Sequence, residues 1–392
     1  MIGRLLGLGH RDTFGSVLER NRGLGPGFDV LRIALAILIL IGHAKWISGA
    51  QSLGNLMPTS AITGSPGDGG GWVGWTQPIK LALVPAFFAL SGFLVTGSAL
   101  RLGRVSTFLA HRGLRIFPAL VVEVLLSAFV LGAWLTTLPL SQYFAHPTMH
   151  RYLLNMFGEV SFYLRGVFEK NSVTSMVNAN LWTLPAELGC YLIVMILMMT
   201  GLIYSRLSVL AVTICATLLL GALHHFYGIS DTSLYYPPHV IILYFVIGVA
   251  MYHWRHLIPA SPWIVLPVGA LVYISLMFNS LTYVTAPLLA WLSLWIGMIS
   301  FPRFRLLASG DYSYGIYLYG FPISQALITL VPWFHHRSAI FTLAALTLAI
   351  LFAAFSWHVV EKRSLRLKRL LPERWFPGTP RERASIEATA EV

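Results

Sequence analysis

Ten apolar stretches of about twenty residues most constrain what this chain can fold into. A stretch of that length crosses the hydrocarbon core of a bilayer as one α-helix, which also satisfies its own backbone hydrogen bonds. Spans seven and eight are joined by a tight polar turn at Asn279–Thr282, so nine or eleven crossings stay open. We predict an all-α, polytopic membrane helix bundle of about ten transmembrane helices. The stretches are 30–48, 79–99, 117–137, 181–202, 206–226, 239–255, 263–279, 281–300, 312–332 and 338–358.

The composition agrees with a membrane protein. Of 392 residues, 56% are hydrophobic and 11% are charged, which leaves too few polar side chains for an ordinary water-exposed surface. The net charge is +12. With the N-terminus inside, about 20 of the Lys and Arg residues fall on the cytoplasmic side. We therefore predict that both termini are cytoplasmic, that membrane lipids are partners, and that nucleic acid is not.

The chain divides into three parts. Residues 1–29 form a cytoplasmic N-terminal segment in which no cleavable signal peptide is expected. Residues 30–360 form the membrane domain, and residues 361–392 form a cytoplasmic basic tail whose polar end is predicted to be disordered. Two long loops, Gly49–Pro78 and Leu138–Asn180, are predicted on the outer side, where they are suited to form a lid or a substrate platform.

Cysteine and histidine placement argues against covalent frameworks and metal. Cys190 and Cys215 both lie in apolar stretches, where packing explains them better than a disulfide or a thiolate site. The pairs His224–His225 and His335–His336 consist of adjacent residues, which point to different sides of a helix. No metal is predicted.

Arg32 and His43 share one face of the first span. Eleven helical positions return to within roughly 20° of the same direction, with a rise of about 16 Å. An ionised side chain at the bilayer centre costs at least about 2.5–3.5 kcal/mol, so such residues normally face a bundle interior or a wet cavity. The pair predicts a functional groove.

Glu187 enters the fourth span from the opposite side and reaches a depth comparable to that of His43. An imidazole whose tautomer is fixed by a carboxylate is a suitable general base for removing a hydroxyl proton. The alternative is that His43 bonds a backbone carbonyl and that Glu187 pairs with an unrelated base. Residue spacing leaves both interpretations open.

Two further segments carry candidate binding residues. Arg112 and Arg115 share a helical face below the third span, where guanidinium groups can bind phosphate or simply contact lipid headgroups. Ser91 and Gly92 are small residues in a bulky helix, and they permit close approach of a neighbouring helix or of a ligand chain.

Together these segments resemble the acyltransferase family 3 membrane proteins, bacterial enzymes that O-acylate surface and secreted glycans, lipids and some antibiotics. The similarity covers residues 28–363 in the family's order. The matching motifs are Phe28–Arg32 with His43, Phe87–Thr96, Arg112–Pro118, Leu181–Glu187, Ser313–Tyr319 and Val360–Lys362.

The resemblance implies an O-acyltransferase in the bacterial plasma (inner) membrane. Its donor would be a cytoplasmic acyl-CoA, expected to be acetyl-CoA, and its acceptor a hydroxyl of an extracytoplasmic carbohydrate or glycolipid. His43 would remove the acceptor's proton, with Glu187 orienting or charging the site, and Arg32 is included in the catalytic set. The donor-binding residues would be Arg32, Arg112, Arg115, Ser91 and Gly92.

Two positions depart from the family pattern, and other functions compete. Gly320, before Phe321-Pro322, occupies a position where the family often has histidine. Arg363, after Glu361-Lys362, occupies a position where the family usually has proline. The main alternative is a membrane transporter or flippase with a buried Arg, His and Glu translocation path. No internal repeat supports it, and a scaffolding subunit would leave those buried residues unexplained.

Overall fold

The structure, a computed structural model, describes residues 7–9, 11–49, 77–227, 238–277, 282–302 and 310–369. Throughout these ranges the regular secondary structure is helical and no strand forms, which confirms the all-α prediction. Most of the loop Gly49–Pro78, the turn between spans seven and eight, and the polar tail lie outside the described residues.

The helices are numbered in chain order. A π-helical segment, Leu126–Gly132, joins α4 to α5, and another, Trp357–Glu361, joins α14 to α15. The α-helices are α1 (Phe14–Arg20), α2 (Phe28–Ile47), α3 (Gln77–Leu102), α4 (Val105–Leu125), α5 (Ala133–Leu135), α6 (Leu140–Ala145), α7 (Pro147–Leu153), α8 (Leu184–Met199), α9 (Arg206–Tyr227), α10 (Pro238–His253), α11 (Val265–Met277), α12 (Thr282–Gly297), α13 (Ser313–Leu330), α14 (Ser338–Ser356) and α15 (Lys362–Arg366).

Each of the ten predicted apolar stretches overlaps one of these helices. In the described part of the chain, six helices are long and apolar enough to cross a membrane, and three shorter apolar helices accompany them. The protein is a multi-pass membrane protein. The number of crossings and the side on which each terminus lies remain predictions. The six are Phe28–Ile47, Pro78–Leu102, Val105–Leu135, Ala179–Met199, Arg206–Leu223 and Ser338–Arg366.

Helices α3 and α10 cross at a pair of glycines. A Cβ atom built on Gly92 would lie 2.0 Å from the carbonyl oxygen of Phe245, and one built on Gly248 would lie 2.1 Å from that of Ala89. Both obstacles are backbone atoms, which cannot move aside. The two helices therefore approach as closely as they do only because both residues lack a side chain.

Helix α13 is largely buried and packs against α2 and α14. Here too glycine permits the contact, because a Cβ on Gly320 would lie 2.8 Å from Leu40 and one on Gly315 would lie 2.8 Å from Ala353. The helix also buries polar groups such as Ser324 and Gln325. Ser324 donates to a carbonyl of its own helix, whereas Gln325 ties the helix to the chain between α7 and α8.

Two buried amides fasten the α5–α8 connection to the bundle. Asn171 donates to Oε1 of Gln325 (2.9 Å), and the Gln325 amide donates in turn to backbone carbonyls of the connection. Asn178 donates to Oε1 of Glu123 and to the carbonyl of Leu318, each at 2.9 Å. The α5–α8 connection, residues 136–183, contains the predicted outer loop Leu138–Asn180. These hydrogen bonds hold it against α4 and α13.

Candidate active site

A cavity of about 420 Å³ lies between α2, α3, α4, α8 and α13. On α3 its lining runs from Val84 to Arg101, a rise of about 25 Å at 1.5 Å per residue. That distance is most of the thickness of a bilayer's hydrocarbon core. The polar and charged lining residues are Arg32, Ser91, Ser98, Arg101, Arg112, Arg115, Thr183, Glu187, Tyr191, Asp311, Ser313, Tyr314, Tyr317 and Lys368.

Helical periodicity explains which neighbours face the cavity. On α3, Ser91 and Ser98 are seven residues apart and both line it, whereas Gly92 is turned toward α10. At the start of α8, Thr183 and Glu187 are four apart and line it together. Of the predicted small pair, Ser91 therefore lies in the cavity, and Gly92 serves helix packing.

Most of the charged lining residues lie at one end of the cavity, which we call the arginine end. There Oδ2 of Asp311 accepts hydrogen bonds from Arg32 and Arg115, each at 2.6 Å, and Oδ1 accepts one from Ser313 at 2.6 Å. Burial of Asp311 would raise its pKa, but the two guanidinium groups outweigh this effect and lower the pKa to about 2. Asp311 is therefore a permanent counter-ion for both arginines.

Arg115 has a second acidic partner. Glu361, which is 2% exposed, lies 3.5 Å from the Arg115 guanidinium. It is the last residue of the π-helical segment Trp357–Glu361. The Arg115 guanidinium also lies over the rings of Tyr314 and Trp357. Arg32 and Arg115, predicted as donor-binding residues, are thus already bound to protein carboxylates in this structure.

Three other cations at the arginine end have a different environment. Arg112 donates to the hydroxyl of Ser98 at 3.2 Å, while its Nε is buried with no hydrogen-bond partner. Arg101 and Lys368 line the cavity beside it. Burial lowers the pKa of Lys368, and so does the charge of Arg112 and Arg115. Like charges gathered in this way favour an anionic ligand.

Glu187 turns toward the arginine end. Its Oε1 accepts a hydrogen bond from Tyr191 at 2.7 Å, and the charges of Arg115 and Arg112 act on it. In the described part of the chain no hydrogen bond joins Glu187 to His43. The expected hydrogen bond between them is therefore not formed, and the partner of this carboxylate is Tyr191 of its own helix.

His43 lies beyond the opposite end of the cavity. Ile39, the α2 residue that lines the cavity farthest from Arg32, is one helical turn before His43 on the same face. The His43 ring packs edge-on against Phe321 with ring centroids 5.3 Å apart, and its Nδ1 is buried without a hydrogen-bond partner. We call this the His43 end. A ligand extending along the cavity from the arginine end would point at this imidazole.

A pair of hydroxyl groups marks the cavity wall toward the His43 end. Tyr317 of α13 and Thr183, just before α8, both line the cavity, and their oxygens are 2.8 Å apart. The amide of the buried Asn180 donates to the backbone carbonyl of Tyr317. These contacts connect the start of α8 to α13.

Comparison with known proteins identifies the family. Residues 26–358 match the acyltransferase domain that defines acyltransferase family 3. The chain belongs to acyltransferase family 3. It is 27% identical over 355 residues to an O-acetyl transferase of Shigella phage Sf6, an alignment that covers 86% of this chain and 95% of the phage protein.

A second relative supports the same assignment. The chain is 28% identical over 392 residues to Nodulation protein 10 of Rhizobium leguminosarum bv. viciae, covering 91% of this chain and 97% of that protein. No solved structure matches the chain. The protein is a membrane O-acyltransferase that transfers groups other than amino-acyl groups.

Several residues of this acyltransferase site escaped sequence analysis. Asp311, Lys368 and Arg101 were not singled out, and Glu361 was noted only as part of a motif. The available signal was an ionisable residue directly beside an apolar span, which applies to Asp311 and Glu361. Tyr317 enters the sequence analysis only as part of the motif Ser313–Tyr319, since the sequence does not show that this residue faces the start of α8.

Proposed function

We propose that this family member moves an acyl group, acetyl in the simplest case, from acyl-CoA to a hydroxyl of a carbohydrate or glycolipid. The observation that carries the proposal is the single cavity that leads from a cationic end toward His43. One long ligand can then place its phosphates among cations while its reactive end lies near an imidazole. The proposal extends to the bacterial plasma membrane, with the arginine end facing the cytoplasm.

Donor binding is assigned to the cations that Asp311 does not hold. Arg112, Arg101 and Lys368 would bind phosphate oxygens through charge-assisted hydrogen bonds. Arg32 and Arg115 contribute positive potential, which Asp311 and Glu361 partly offset. Ser91 gives the arm of the donor room to pass along α3. The predicted set is thereby enlarged by Arg101 and Lys368.

Transfer is assigned to His43 acting as general base. The acceptor oxygen attacks the thioester carbonyl carbon while His43 takes the hydroxyl proton. The C–O double bond re-forms as the C–S bond breaks, and the thiolate that leaves takes the proton from the imidazolium. Atoms and charges balance without a metal. A positioned base of this kind contributes about 10²–10⁴-fold to the rate.

The acyl group and acceptor are the finer parts of the proposal. The phage relative is named an O-acetyl transferase, which supports acetyl as the first group to test. An exposed aromatic side chain such as that of Trp134 offers a surface on which a sugar ring can stack. Family membership favours this activity over the transporter or flippase alternative.

The decisive measurement is release of CoA thiol by the purified protein in detergent, given acetyl-CoA with and without glycan acceptors. We expect His43→Gln to lower turnover by about 10²–10⁴-fold while donor binding persists. The matched control is His335→Gln, a histidine in the turn after α13 that does not line the cavity. Near-normal turnover in His43→Gln would contradict the role of His43. Absence of acyl-CoA binding by the folded wild type would contradict the whole proposal and favour transport.

A further inference from the structure

The hydroxyls of Tyr317 and Thr183 form a cluster that the reaction described above does not use. Their oxygens are 2.8 Å apart, and both side chains line the cavity. One residue comes from α13 and the other from the turn that begins α8, so the two helices must pack together for the cluster to exist. Hydroxyl groups facing a ligand cavity are suited to bind a carbonyl oxygen.

Counting protons shows that this cluster can donate to a ligand. Tyr317 donates to the backbone carbonyl of Asn180 at 3.0 Å, and Thr183 donates to the same oxygen at 3.2 Å. With the contact between the two hydroxyls, three interactions share two protons. Either hydroxyl can therefore turn its proton into the cavity while the other still satisfies the Asn180 carbonyl.

Asn180 holds the pair in place. Its side chain is buried and donates to the backbone carbonyl of Tyr317, and its backbone N–H donates to Asn178 Oδ1 at 3.1 Å. Groups fixed in this way need little rearrangement when charge develops on a neighbouring atom. Asn180 is thus a positioning residue for Tyr317 and Thr183.

The pair lies one helical turn from the level of His43. Tyr317 is one helical turn before Phe321, whose ring contacts His43. That turn corresponds to about 6 Å along α13. On α2, Ile39 lines the cavity one turn before His43, so both helices place the cavity lining one turn from the level of this imidazole.

We propose that Tyr317 and Thr183 bind the carbonyl oxygen of the donor thioester. The inference rests on the proposed acyl transfer and extends it. When the acceptor oxygen bonds to the carbonyl carbon, the π electron pair moves onto the carbonyl oxygen. One of the two hydroxyls then donates a hydrogen bond to that anion while the other donates to the Asn180 carbonyl. The electron pair returns to re-form C=O as the C–S bond breaks. Both hydroxyls therefore keep their own protons throughout the reaction.

The first test is the infrared carbonyl stretch of acetyl-CoA labelled with ¹³C at the carbonyl. Binding to the wild type should move the band to lower wavenumber, because a donated hydrogen bond weakens the double bond. In the double variant Tyr317→Phe with Thr183→Val, the band of the bound donor should lie at higher wavenumber than in the wild-type complex. A band shifted equally in both proteins would overturn the inference.

Kinetics supply the second test. The double variant should lose kcat by about 10²–10³-fold, with the KM for donor little changed. Each single variant should lose less, because the remaining hydroxyl can still donate. Thr183→Ser, which keeps the hydroxyl that Thr183→Val removes, should retain activity close to that of the wild type. Tyr319→Phe is the matched control, since its hydroxyl bonds Ala119 and Ser356 away from the cavity lining.

The two proposals fail in different ways. A wild type that neither binds nor turns over acyl-CoA would overturn the proposed function and this inference with it. A wild type that turns over acyl-CoA, while the double variant keeps kcat within threefold, would overturn the inference alone.

Discussion

At the scale of single residues, Asp311 decides how the arginines can act. One carboxylate oxygen accepts hydrogen bonds from both Arg32 and Arg115. Two guanidinium groups this close would repel each other without an anion between them. The carboxylate therefore fixes both side chains before any ligand arrives, and it leaves Arg112 as the better-placed phosphate ligand.

Replacing Asp311 by Asn should destabilise the protein in a pH-dependent way. The carboxyl pKa falls from 3.8 to about 2 on folding, which corresponds to about 2–3 kcal/mol of stability. Because the folded-state pKa is the lower one, this contribution is fully present above about pH 4 and is lost as pH falls toward 2. Unfolding in detergent at pH 7 and pH 3 should show the gap between wild type and variant shrinking at the lower pH. A gap that is constant with pH would contradict the counter-ion role.

Replacing Arg112 by Gln should weaken binding of the donor and leave the rate of the chemical step unchanged. A lost charge-assisted hydrogen bond costs about 1.5–3 kcal/mol, or roughly a 10- to 100-fold rise in the KM for donor. The measurement is KM and kcat in the thiol-release assay, repeated at higher salt. Arg206→Gln is the control, because Arg206 lies over Trp254 and does not line the cavity. An unchanged KM would remove Arg112 from the donor site.

At the scale of elements, close helix crossings set the shape of the cavity. Ser91 faces the cavity while its neighbour Gly92 meets α10. A helix that carries both functions cannot be moved outward without also displacing its cavity lining. The packing of α3 on α10 is therefore coupled to the width of the donor path.

Alanine at Gly92 or Gly248 should destabilise the bundle. The added Cβ would lie about 2 Å from a backbone carbonyl oxygen, and overpacking of this kind typically costs about 1–3 kcal/mol. Gly269→Ala in α11 is the control, since nothing lies within 4 Å of its Cβ position. Thermal unfolding in detergent should show a lower Tm for the first two variants only. Equal Tm values for all three would contradict the close crossing.

The α5–α8 connection should loosen when Asn178 is replaced by Ala. The buried amide joins Glu123 of α4 to the Leu318 carbonyl of α13, and an unsatisfied buried group costs about 1–3 kcal/mol. Hydrogen exchange should become faster across Ala179–Thr183 and the preceding connection. The exposed control Glu159→Gln should leave exchange there unchanged, and protection retained in Asn178→Ala would show that other contacts hold the connection.

At the scale of the whole molecule, the arginine end and the His43 end imply an orientation in the membrane. Charged groups from α2, α3, α4, the residue pair before α13 and the chain after α15 gather at the arginine end. Positive charge is retained on the cytoplasmic side of bacterial membranes. The α5–α8 connection, near the His43 end, would then face outward.

Single-cysteine labelling tests this orientation. In a background without Cys190 and Cys215, a membrane-impermeant maleimide should label Lys170→Cys on intact cells but not Lys362→Cys. Both positions are exposed in the structure. Labelling after cell lysis is the control that both cysteines are reactive. The reverse pattern on intact cells would invert the topology and contradict a cytoplasmic donor.

The sequence by itself determined the membrane class, the all-helical architecture, the approximate helix positions and the family. These follow from local patterns. An apolar run of sufficient length must be helical in lipid, and the order of the family's motifs along the chain can be recognised without knowing which residues are in contact. It also indicated that Arg112 and Arg115 share a face, and both line the cavity.

Only the tertiary structure decided which side chains meet. Asp311 follows Arg32 by 279 positions and Glu361 follows Arg115 by 246, so no local pattern could pair them. The comparison of depths predicted that Glu187 meets His43, but it could not show that Tyr191 donates to this carboxylate instead. Likewise, Tyr317 and Thr183 become one cluster only when α13 packs beside the start of α8. The physical reason is that contacts between side chains depend on how helices pack in three dimensions, and the periodicity along one helix does not specify that packing.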